Sequence, residues 1–249
     1  MSTKKKRPSK EKENLKEIIE DNHFRPIKLS IKDFKLTDKQ KSLAQIVFNK
    51  NTKIIFINGV AGSSKTFMAV YCALHMLNMN PNYEIKYIRT IAESGERALG
   101  ALPGTVDEKF NPFMMPLYDK LDELLPIVQS KYLEEQGLIE AFPINFLRGA
   151  TWREKIIIAD ESQNYSTKEL ITLLTRIGED TKMFICGDSM QSDIGGKSGF
   201  MKIYDLFNNK ESEEKGIYCF EFSEEDIMRS EILKYIVSSF KKLDKAQTH

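Results

Sequence analysis

Short apolar runs alternate with longer amphipathic stretches along most of this chain. The apolar runs are too short to form helices, contain few polar residues, and are typical of strands buried on both faces. Strands that alternate with helices favour an α/β fold, with a mostly parallel β-sheet sandwiched by helices. The predicted strands cover residues 54–57, 85–88, 139–142, 155–161, 183–188 and 217–222.

Between these runs, apolar positions recur at helical spacing. Thr37 can cap the first turn of a helix that follows it. A longer helical pattern is interpreted as an inserted helical layer, with expected interruptions at Pro112 and Pro116. Beyond the helix that Thr37 caps, helices are predicted over residues 66–79, 105–135, 167–177 and 226–240.

The first predicted strand leads into a turn of small residues and then into a helical pattern that opens on Lys65 and Thr66. A polyphosphate can be wrapped closely only by backbone N–H groups that no side chain obstructs, and small residues meet that need. Lys65 would reach the outer phosphates, and the Thr66 hydroxyl would sit on Mg²⁺. The predicted phosphate-binding loop consists of Gly59, Val60, Ala61, Gly62, Ser63, Ser64, Lys65 and Thr66.

One residue of this loop departs from the pattern G-x-x-x-x-G-K-[ST]. Ser64 stands where the pattern has its second glycine. Because its Cβ would crowd the phosphates or fix the loop differently, we expect weakened rather than abolished nucleotide binding. A turn of glycine and serine between a core strand and a helix is also common without any ligand, so the loop alone leaves both interpretations open.

Two carboxylates, Asp160 and Glu161, end the apolar run at 155–161. Asp160 can hold Mg²⁺ jointly with Thr66, and Glu161 can polarise the water that attacks a phosphoanhydride. An acidic pair at a strand end can instead be a solvated turn or a helix cap, but the loop upstream favours the catalytic interpretation. Gln191 follows the next strand and either contacts the terminal phosphate or the water, or has no role.

Arg229 lies in the predicted closing helix among several acidic residues. A surface salt bridge at this position would contribute little to stability. The alternative is an arginine that reaches transition-state charge, in its own subunit or across a subunit boundary. Composition alone leaves both interpretations open.

Composition places the chain among ordinary globular proteins. It has 249 residues, of which 41% are hydrophobic and 29% charged, and its net charge of +1 gives no global attraction to nucleic acid. Its cysteines are odd in number and far apart, as in proteins of a reducing compartment. No apolar run approaches the roughly 18 residues that a membrane span requires, so we expect a cytoplasmic protein without membrane association.

Residues 4–12 are strongly basic and contain no apolar side chain apart from one proline. Such a segment cannot bury enough surface to offset the entropy lost on ordering, so we expect a disordered tail. The sequence leaves open whether this tail contacts nucleic acid or is only solvated.

Together these motifs resemble the PhoH-like family of P-loop ATPases, whose core is similar to that of superfamily 1 helicases. The likeness covers about residues 36–240, which leaves 1–35 as an N-terminal arm with a short helix and 241–249 as a C-terminal tail. Its most specific parts are Asp-Glu-Ser-Gln-Asn at 160–164 and Gly-Asp-x-x-Gln at 187–191. The other matching stretches are 36–40, 59–66, 93–96 with 102–104, 146–149 and 226–229.

The resemblance implies a RecA-like P-loop NTPase fold and an ATPase that uses Mg²⁺. By the same likeness, Gln40 would read the adenine edge, with a surface glutamine as the alternative, and Arg229 would have a catalytic role. Arg89 and the loop 93–104 would lie on the nucleic-acid side, or would anchor that loop structurally. A homo-oligomer, such as a ring, is implied if Arg229 serves the site of a neighbouring subunit.

The hypothesis drawn from the sequence is an Mg²⁺-dependent ATPase that is coupled to movement on, or remodelling of, RNA or single-stranded nucleic acid. Its catalytic residues would be Lys65, Glu161, Gln191 and Arg229. One alternative is a module that binds ATP as a structural or sensing ligand with little turnover, which Ser64 motivates. A small-molecule phosphotransferase is disfavoured, because the stretch 187–191 fits a nucleotide-sensing motif better.

Overall fold

A computed structural model describes residues 28–90, 106–144, 147, 151–227 and 231–247. Within these ranges, six strands form one sheet in which every neighbouring pair is parallel. The strands are β1 (Ile54–Gly59), β2 (Glu84–Arg89), β3 (Ile139–Pro143), β4 (Lys155–Asp160), β5 (Lys182–Gly187) and β6 (Ile217–Phe222). Their order across the sheet is β3-β2-β4-β5-β1-β6.

Helices connect these strands. Thr37 caps the first one as predicted, because its Oγ1 accepts the backbone N–H of Gln40 while Oε1 of Gln40 accepts the N–H of Thr37, forming a capping box. The helices are α1 (Asp38–Phe48), α2 (Lys65–Met79), α3 (Val106–Leu124), α4 (Ile127–Glu135), α5 (Thr167–Leu174), α6 (Phe200–Phe207), α7 (Lys210–Glu214) and α8 (Glu231–Gln247).

The two faces of the sheet are covered by different helices. Helices α1 to α4 pack on one face, against a cluster that includes Ile55 and Ile158, and α5 and α6 pack on the other, against Phe56 and Ile157. Burial on both sides explains why the strands form nearly continuous apolar runs. The predicted α/β fold, a parallel sheet sandwiched by helices with a helical insertion, is confirmed.

The interruptions expected at Pro112 and Pro116 are wrong, because α3 continues through both prolines. The helix ends at Leu124 instead, and Pro126, which has an extended backbone, immediately precedes α4. Proline removes one helical hydrogen bond, but its fixed φ is compatible with a helix, and an extensive apolar face favours continuation. The buried leucines of α3 are Leu117, Leu121 and Leu124.

The closing helix and its neighbours also differ from the prediction. Helix α8 spans Glu231–Gln247, whereas the predicted helix covered residues 226–240. Residues 224–226 form a separate 3₁₀ turn, because the Asp226 carboxylate accepts the N–H and hydroxyl of Ser223 and closes a local capping box. Helices α6 and α7 were not predicted, and α5 ends before the predicted residue 177.

The carboxyl ends of the parallel strands lie at one edge of the sheet. Strand β5 lies between β1 and β4, so Gly59, Asp160 and Gly187 end neighbouring strands at this edge. This is the predicted RecA-like P-loop arrangement, and open α/β sheets bind ligands at such an edge. Across the described ranges, no helix combines the length and apolarity needed to span a bilayer.

Candidate functional site

The loop between β1 and α2 turns tightly out of the sheet. Its backbone N–H at Ser63 and the hydroxyl of the same residue both donate to the Val60 carbonyl, the hydroxyl at 2.7 Å. Gly62 has a φ of 77°. A Cβ at Gly59 would lie 2.7 Å from the Ser63 hydroxyl and 2.9 Å from the Phe222 side chain, so only glycine fits there.

Ser64 adopts the conformation that the sequence pattern reserves for glycine. Its φ of 69° and ψ of 20° lie in the left-handed region, and its side chain makes no capping bond to α2. A Cβ in this region costs about 1–2 kcal/mol. The departure at Ser64 therefore leaves the loop in a glycine-type conformation and introduces local backbone strain.

Replacing Ser64 by glycine is expected to stabilise the protein. Glycine removes the left-handed strain, and its greater entropy in the unfolded chain offsets part of the gain, so the net increase is about 0.5–1 kcal/mol. Urea unfolding measures it as a higher midpoint. Ser63→Gly is the matched control, because it removes the buried hydroxyl bond to Val60 and should lower the midpoint. If the urea midpoint of Ser64→Gly were equal to or lower than that of the wild type, the backbone at Ser64 would not be strained.

The first turn of α2 contains no acidic residue of its own. The side chain of Ser64 does not cap the helix, so the first N–H groups of α2 remain available to an anion. The ammonium of Lys65 donates to the carbonyls of Gly59 at 2.6 Å and Val60 at 3.0 Å. A flexible cation therefore already lies against the loop that the helix end faces.

Asp160, at the end of β4, is almost completely buried, with 3% of its surface exposed. Its Oδ1 accepts the hydroxyl of Thr66 at 2.8 Å, and its Oδ2 accepts the hydroxyl of Tyr87 at 2.6 Å. Burial, and then the charge of Asp160, raise the pKa of Tyr87, so this phenol stays a donor. Two hydroxyls thus fix the orientation of the carboxylate.

The oxygen atoms of Thr66 and Asp160 fit a magnesium ion. Among the described residues, no group of three or more His, Cys, Asp or Glu side chains could hold a metal by itself. Mg²⁺ does not need such a group, because it usually binds one or two protein oxygens together with waters and substrate phosphates. A hydroxyl and a carboxylate beside a phosphate-binding loop are the ligands that this mode uses.

Glu161 follows Asp160 in a left-handed backbone conformation, with a φ of 52°. Its Oε2 accepts the Nε2 of Gln163 at 2.5 Å, and its Oε1 lies 3.4 Å from Nη2 of Arg89. Burial and then the charge of Asp160 raise the pKa of Glu161, while Gln163, Arg89 and Lys65 oppose this shift. Two donors, Gln163 and Arg89, thus hold the carboxylate of Glu161.

The loop after β5 presents a second buried carboxylate. Oδ1 of Asp188 accepts the N–H of Met190 at 3.0 Å, whereas its Oδ2 is buried without a hydrogen-bond partner in the described part of the chain. An unsatisfied buried carboxylate oxygen is costly, and Asp188 belongs to the lining of the cavity described below. Gln191, three residues further on, is exposed.

Gln40 is buried, with 4% of its surface exposed. Its Oε1 belongs to the capping box of α1, so the sequence-based alternative of a surface glutamine is wrong. The residue still lines the cavity described next, and a role toward a base would involve its Nε2 group.

These groups surround one cavity of about 550 Å³ at the carboxyl edge of the sheet. Its lining includes the loop between β1 and α2, the amino end of α2 and both acids. It also includes Gln40, with apolar and charged side chains from α3 and from the segment before α1. The lining residues are Phe34, Lys35, Leu36, Gln40, Ala61, Gly62, Ser64, Lys65, Thr66, Phe67, Pro116, Asp119, Lys120, Glu123, Asp160, Glu161, Gln163, Cys186, Asp188 and Gln191.

Most residues that the sequence singled out therefore lie around this cavity, but some do not. Gly59, Val60 and Ser63 shape the loop from behind, without lining the cavity. Arg89 contacts Glu161, so it lies beside the acids rather than apart from them. Arg229, the loop 93–104, the stretches 145–146 and 148–150, and most of the N-terminal arm lie outside the described residues.

Three contributors were missed by the sequence analysis: Tyr87, Gln163 and Asp188. Gln163 and Asp188 lie within motifs that were recognised, and an amide or acid next to a catalytic motif is a signal that could have been used. Tyr87 lies inside an apolar strand, and no local signal marks its hydroxyl as a partner of Asp160.

Comparisons with known proteins show the family of this chain. Residues 34–241 match the family described as PhoH-like protein. A PhoH-like protein of Bacillus subtilis (strain 168) is 34% identical over 195 residues, covering 78% of this chain and 60% of that protein. A PhoH-like protein of Mycobacterium tuberculosis (strain ATCC 25618 / H37Rv) is 33% identical over 189 residues, covering 75% of this chain and 52% of that protein.

The chain thus spans from about half to 60% of the length of these curated relatives. A crystal structure of Pif1 helicase from Candida albicans aligns with 77% of this chain and 40% of its own, at 14% identity and a TM-score of 0.39. This protein belongs to the PhoH-like family.

Proposed function

We propose that this protein hydrolyses ATP in a magnesium-dependent reaction and couples hydrolysis to remodelling of RNA or single-stranded nucleic acid. The observation that carries the proposal is the convergence of Lys65, Thr66, Asp160 and Glu161 on one cavity. A loop that can wrap phosphates, a cation, a pair of metal-binding oxygens and a second acid are the groups that phosphoryl transfer requires.

Each group has a distinct task in this proposal. Thr66 and Asp160 would hold Mg²⁺, whose charge would offset the negative charge that develops on the phosphates. Tyr87 fixes the carboxylate of Asp160. Lys65 exchanges its loop carbonyls for phosphate oxygens, and the amino end of α2 faces the same anion.

Glu161 is the proposed base for the attacking water. It lies next to Asp160 in sequence, but the two acids have different partners. Glu161 bonds to Gln163 and Arg89, whereas Asp160 bonds to Thr66 and Tyr87. The two acids can therefore act separately, one on the metal and one on the water. Gln191 is the proposed contact to the terminal phosphate or the water, from the loop after β5.

The coupling to nucleic acid and the assembly state rest on the motif resemblance. Arg229 is proposed to act on transition-state charge, and a homo-oligomer such as a ring would form its site if that arginine serves a neighbour. Mass photometry with and without ATP tests the assembly: a larger species with nucleotide supports this part, and a monomer under both conditions opposes it.

The hydrolysis proposal is tested by phosphate release from ATP. We expect steady release with Mg²⁺, loss of release in excess EDTA, recovery when Mg²⁺ is restored, and stimulation by single-stranded RNA or DNA. The metal requirement follows because charge on the phosphates is otherwise unneutralised. Tight ATP binding without release would indicate a sensing module, and stimulation by a small acceptor instead of a polynucleotide would indicate a phosphotransferase.

A further inference from the structure

The side chain of Gln163 bridges two parts of the site. It lies in the 3₁₀ turn Ser162–Asn164 after β4, with 2% of its surface exposed. Its Nε2 donates to Oε2 of Glu161 at 2.5 Å, and its Oε1 accepts the backbone N–H of Asp188 at 2.9 Å. A primary amide carries a donor and an acceptor side by side, so one side chain joins the carboxylate to the loop after β5.

Other bonds fasten the same turn to the same loop. The hydroxyl of Ser192 donates to the backbone carbonyl of Gln163 at 3.0 Å. Asn164 and Asp193 exchange two bonds, from Nδ2 of Asn164 to the carboxylate at 2.9 Å and from the N–H of Asp193 to Oδ1 of Asn164 at 2.8 Å. The segment 188–193, which carries Gln191, is thus held at both ends by the turn that follows Glu161.

Of the two side-chain donors that hold Glu161, Gln163 is the nearer, at 2.5 Å compared with 3.4 Å for Arg89. The charged groups that face Glu161 in the described structure are Asp160, Arg89 and Lys65. Asp160 repels it, whereas Arg89 contacts it only at 3.4 Å. The short bond from Gln163 is therefore the contact that fixes which way its second oxygen points.

We propose that Gln163 is a positioning residue, which holds Glu161 in line for the attacking water and ties its orientation to the loop that carries Gln191. This inference rests on the proposed hydrolysis of ATP. A change at the terminal phosphate that moves the segment 188–193 would be transmitted to Glu161 through the same amide. Gln163 itself touches neither substrate nor metal in this scheme.

Two substitutions of Gln163 test the bonds that its amide makes to Glu161 and to the N–H of Asp188. Gln163→Glu keeps the acceptor for Asp188 N–H but places a carboxylate oxygen against Glu161, and Gln163→Met removes both bonds at similar volume. Both should lower kcat by about 10–100-fold, the usual effect of removing a group that orients another. Because both amide atoms of Gln163 are bonded within the protein, we expect KM to stay within about two-fold.

A double-mutant cycle distinguishes positioning from general structural damage. In a Glu161→Gln background the residue to be positioned is already inactive, so Gln163→Met should change the remaining kcat by less than about two-fold. An equal loss in both backgrounds would overturn the proposal, as would wild-type kcat in Gln163→Met. Gln129→Glu is the matched control: Gln129 also bonds through both amide atoms, to Ser30, away from the cavity, and its kcat should be unchanged.

A second readout does not depend on turnover. Gln163→Glu should lower the urea midpoint, because two carboxylates would meet, and the exchanged pair Glu161→Gln with Gln163→Glu should restore it, because the amide and the acid swap places. If the exchanged pair did not regain the wild-type urea midpoint, the contact between residues 161 and 163 would be absent. If the wild type releases no phosphate, the proposed function fails and positioning for catalysis fails with it, while the midpoint series still reports on the contact.

Discussion

Glu161→Gln is expected to lower kcat by about 10²–10⁴-fold while ATP binding persists. Glutamine has nearly the same size as glutamate and can still accept the amide of Gln163, but it cannot take a proton from water. The phosphate-binding loop, Lys65 and the oxygens of Thr66 and Asp160 are untouched by the substitution. The loss should therefore fall on kcat rather than on binding.

Binding should even become tighter, because one negative charge near the triphosphate is removed. The fold should also tolerate the change, since Glu161 and Asp160 are adjacent acids and the variant removes one of the two charges. Phosphate release gives kcat, calorimetric titration with ATP gives Kd, and urea unfolding checks the fold.

Glu135→Gln is the matched control for this experiment. Glu135 is an exposed residue at the end of α4 that does not line the cavity, so its kcat should equal that of the wild type. If Glu161→Gln kept wild-type kcat, another group would have to activate the water. If it lost ATP binding as well, Glu161 would have a structural role in the site.

The sheet was predictable because both of its faces are covered. Burial on two sides makes a parallel strand an uninterrupted apolar run, so the limits of β1, β4 and β5 followed closely from the sequence. Parallel strands also end at a common edge, which is why the loop at 59–66 and the acids at 160–161 could be expected together before any coordinates were known.

Side-chain partners across the sheet could not be predicted, because they depend on strand register. Tyr87 of β2 aligns with Ile158 of β4, and Arg89 aligns with Asp160. This register brings the phenol to the buried carboxylate and the guanidinium to Glu161. Inside an apolar run, Tyr87 shows no sign of that contact, since tyrosine is equally common as a packing residue.

Helix limits failed where tertiary packing outweighed local signals. Local preference predicted breaks in α3 at its prolines, whereas its buried leucine face keeps it continuous. Ser64 is a similar case at the scale of one residue. The sequence suggested that its Cβ would alter the loop, and the structure shows that the loop keeps its left-handed turn with the Cβ in place.

Lys65→Met is expected to weaken ATP binding by about 10–100-fold, because a hydrogen bond from a charged group contributes roughly 1.5–3 kcal/mol. The ammonium lies at the start of α2, beside the carbonyls of Gly59 and Val60, and phosphate oxygens are better acceptors for it than neutral carbonyls. Methionine keeps most of the apolar stem. The loss of ATP affinity should therefore measure the contribution of the positive charge of Lys65.

The effect should depend on the number of phosphates. AMP lacks the outer phosphates that Lys65 would reach, so its Kd should change little, while that of ATP rises. Titration of both nucleotides, monitored by calorimetry, measures the difference. An equal loss for AMP and ATP would mean that the substitution disturbs the loop rather than a phosphate contact.

Lys197→Met supplies the matched control. Lys197 is an exposed lysine between Gly196 and Ser198, so it repeats the glycine-lysine-hydroxyl order of a phosphate loop. It lies in a 3₁₀ turn, however, and does not line the cavity. Its replacement should leave both affinities unchanged, because no strand end and no long helix directs backbone N–H groups at one ligand there. If Lys197→Met lowered the affinity for ATP and Lys65→Met did not, the nucleotide site would not lie at the carboxyl end of β1.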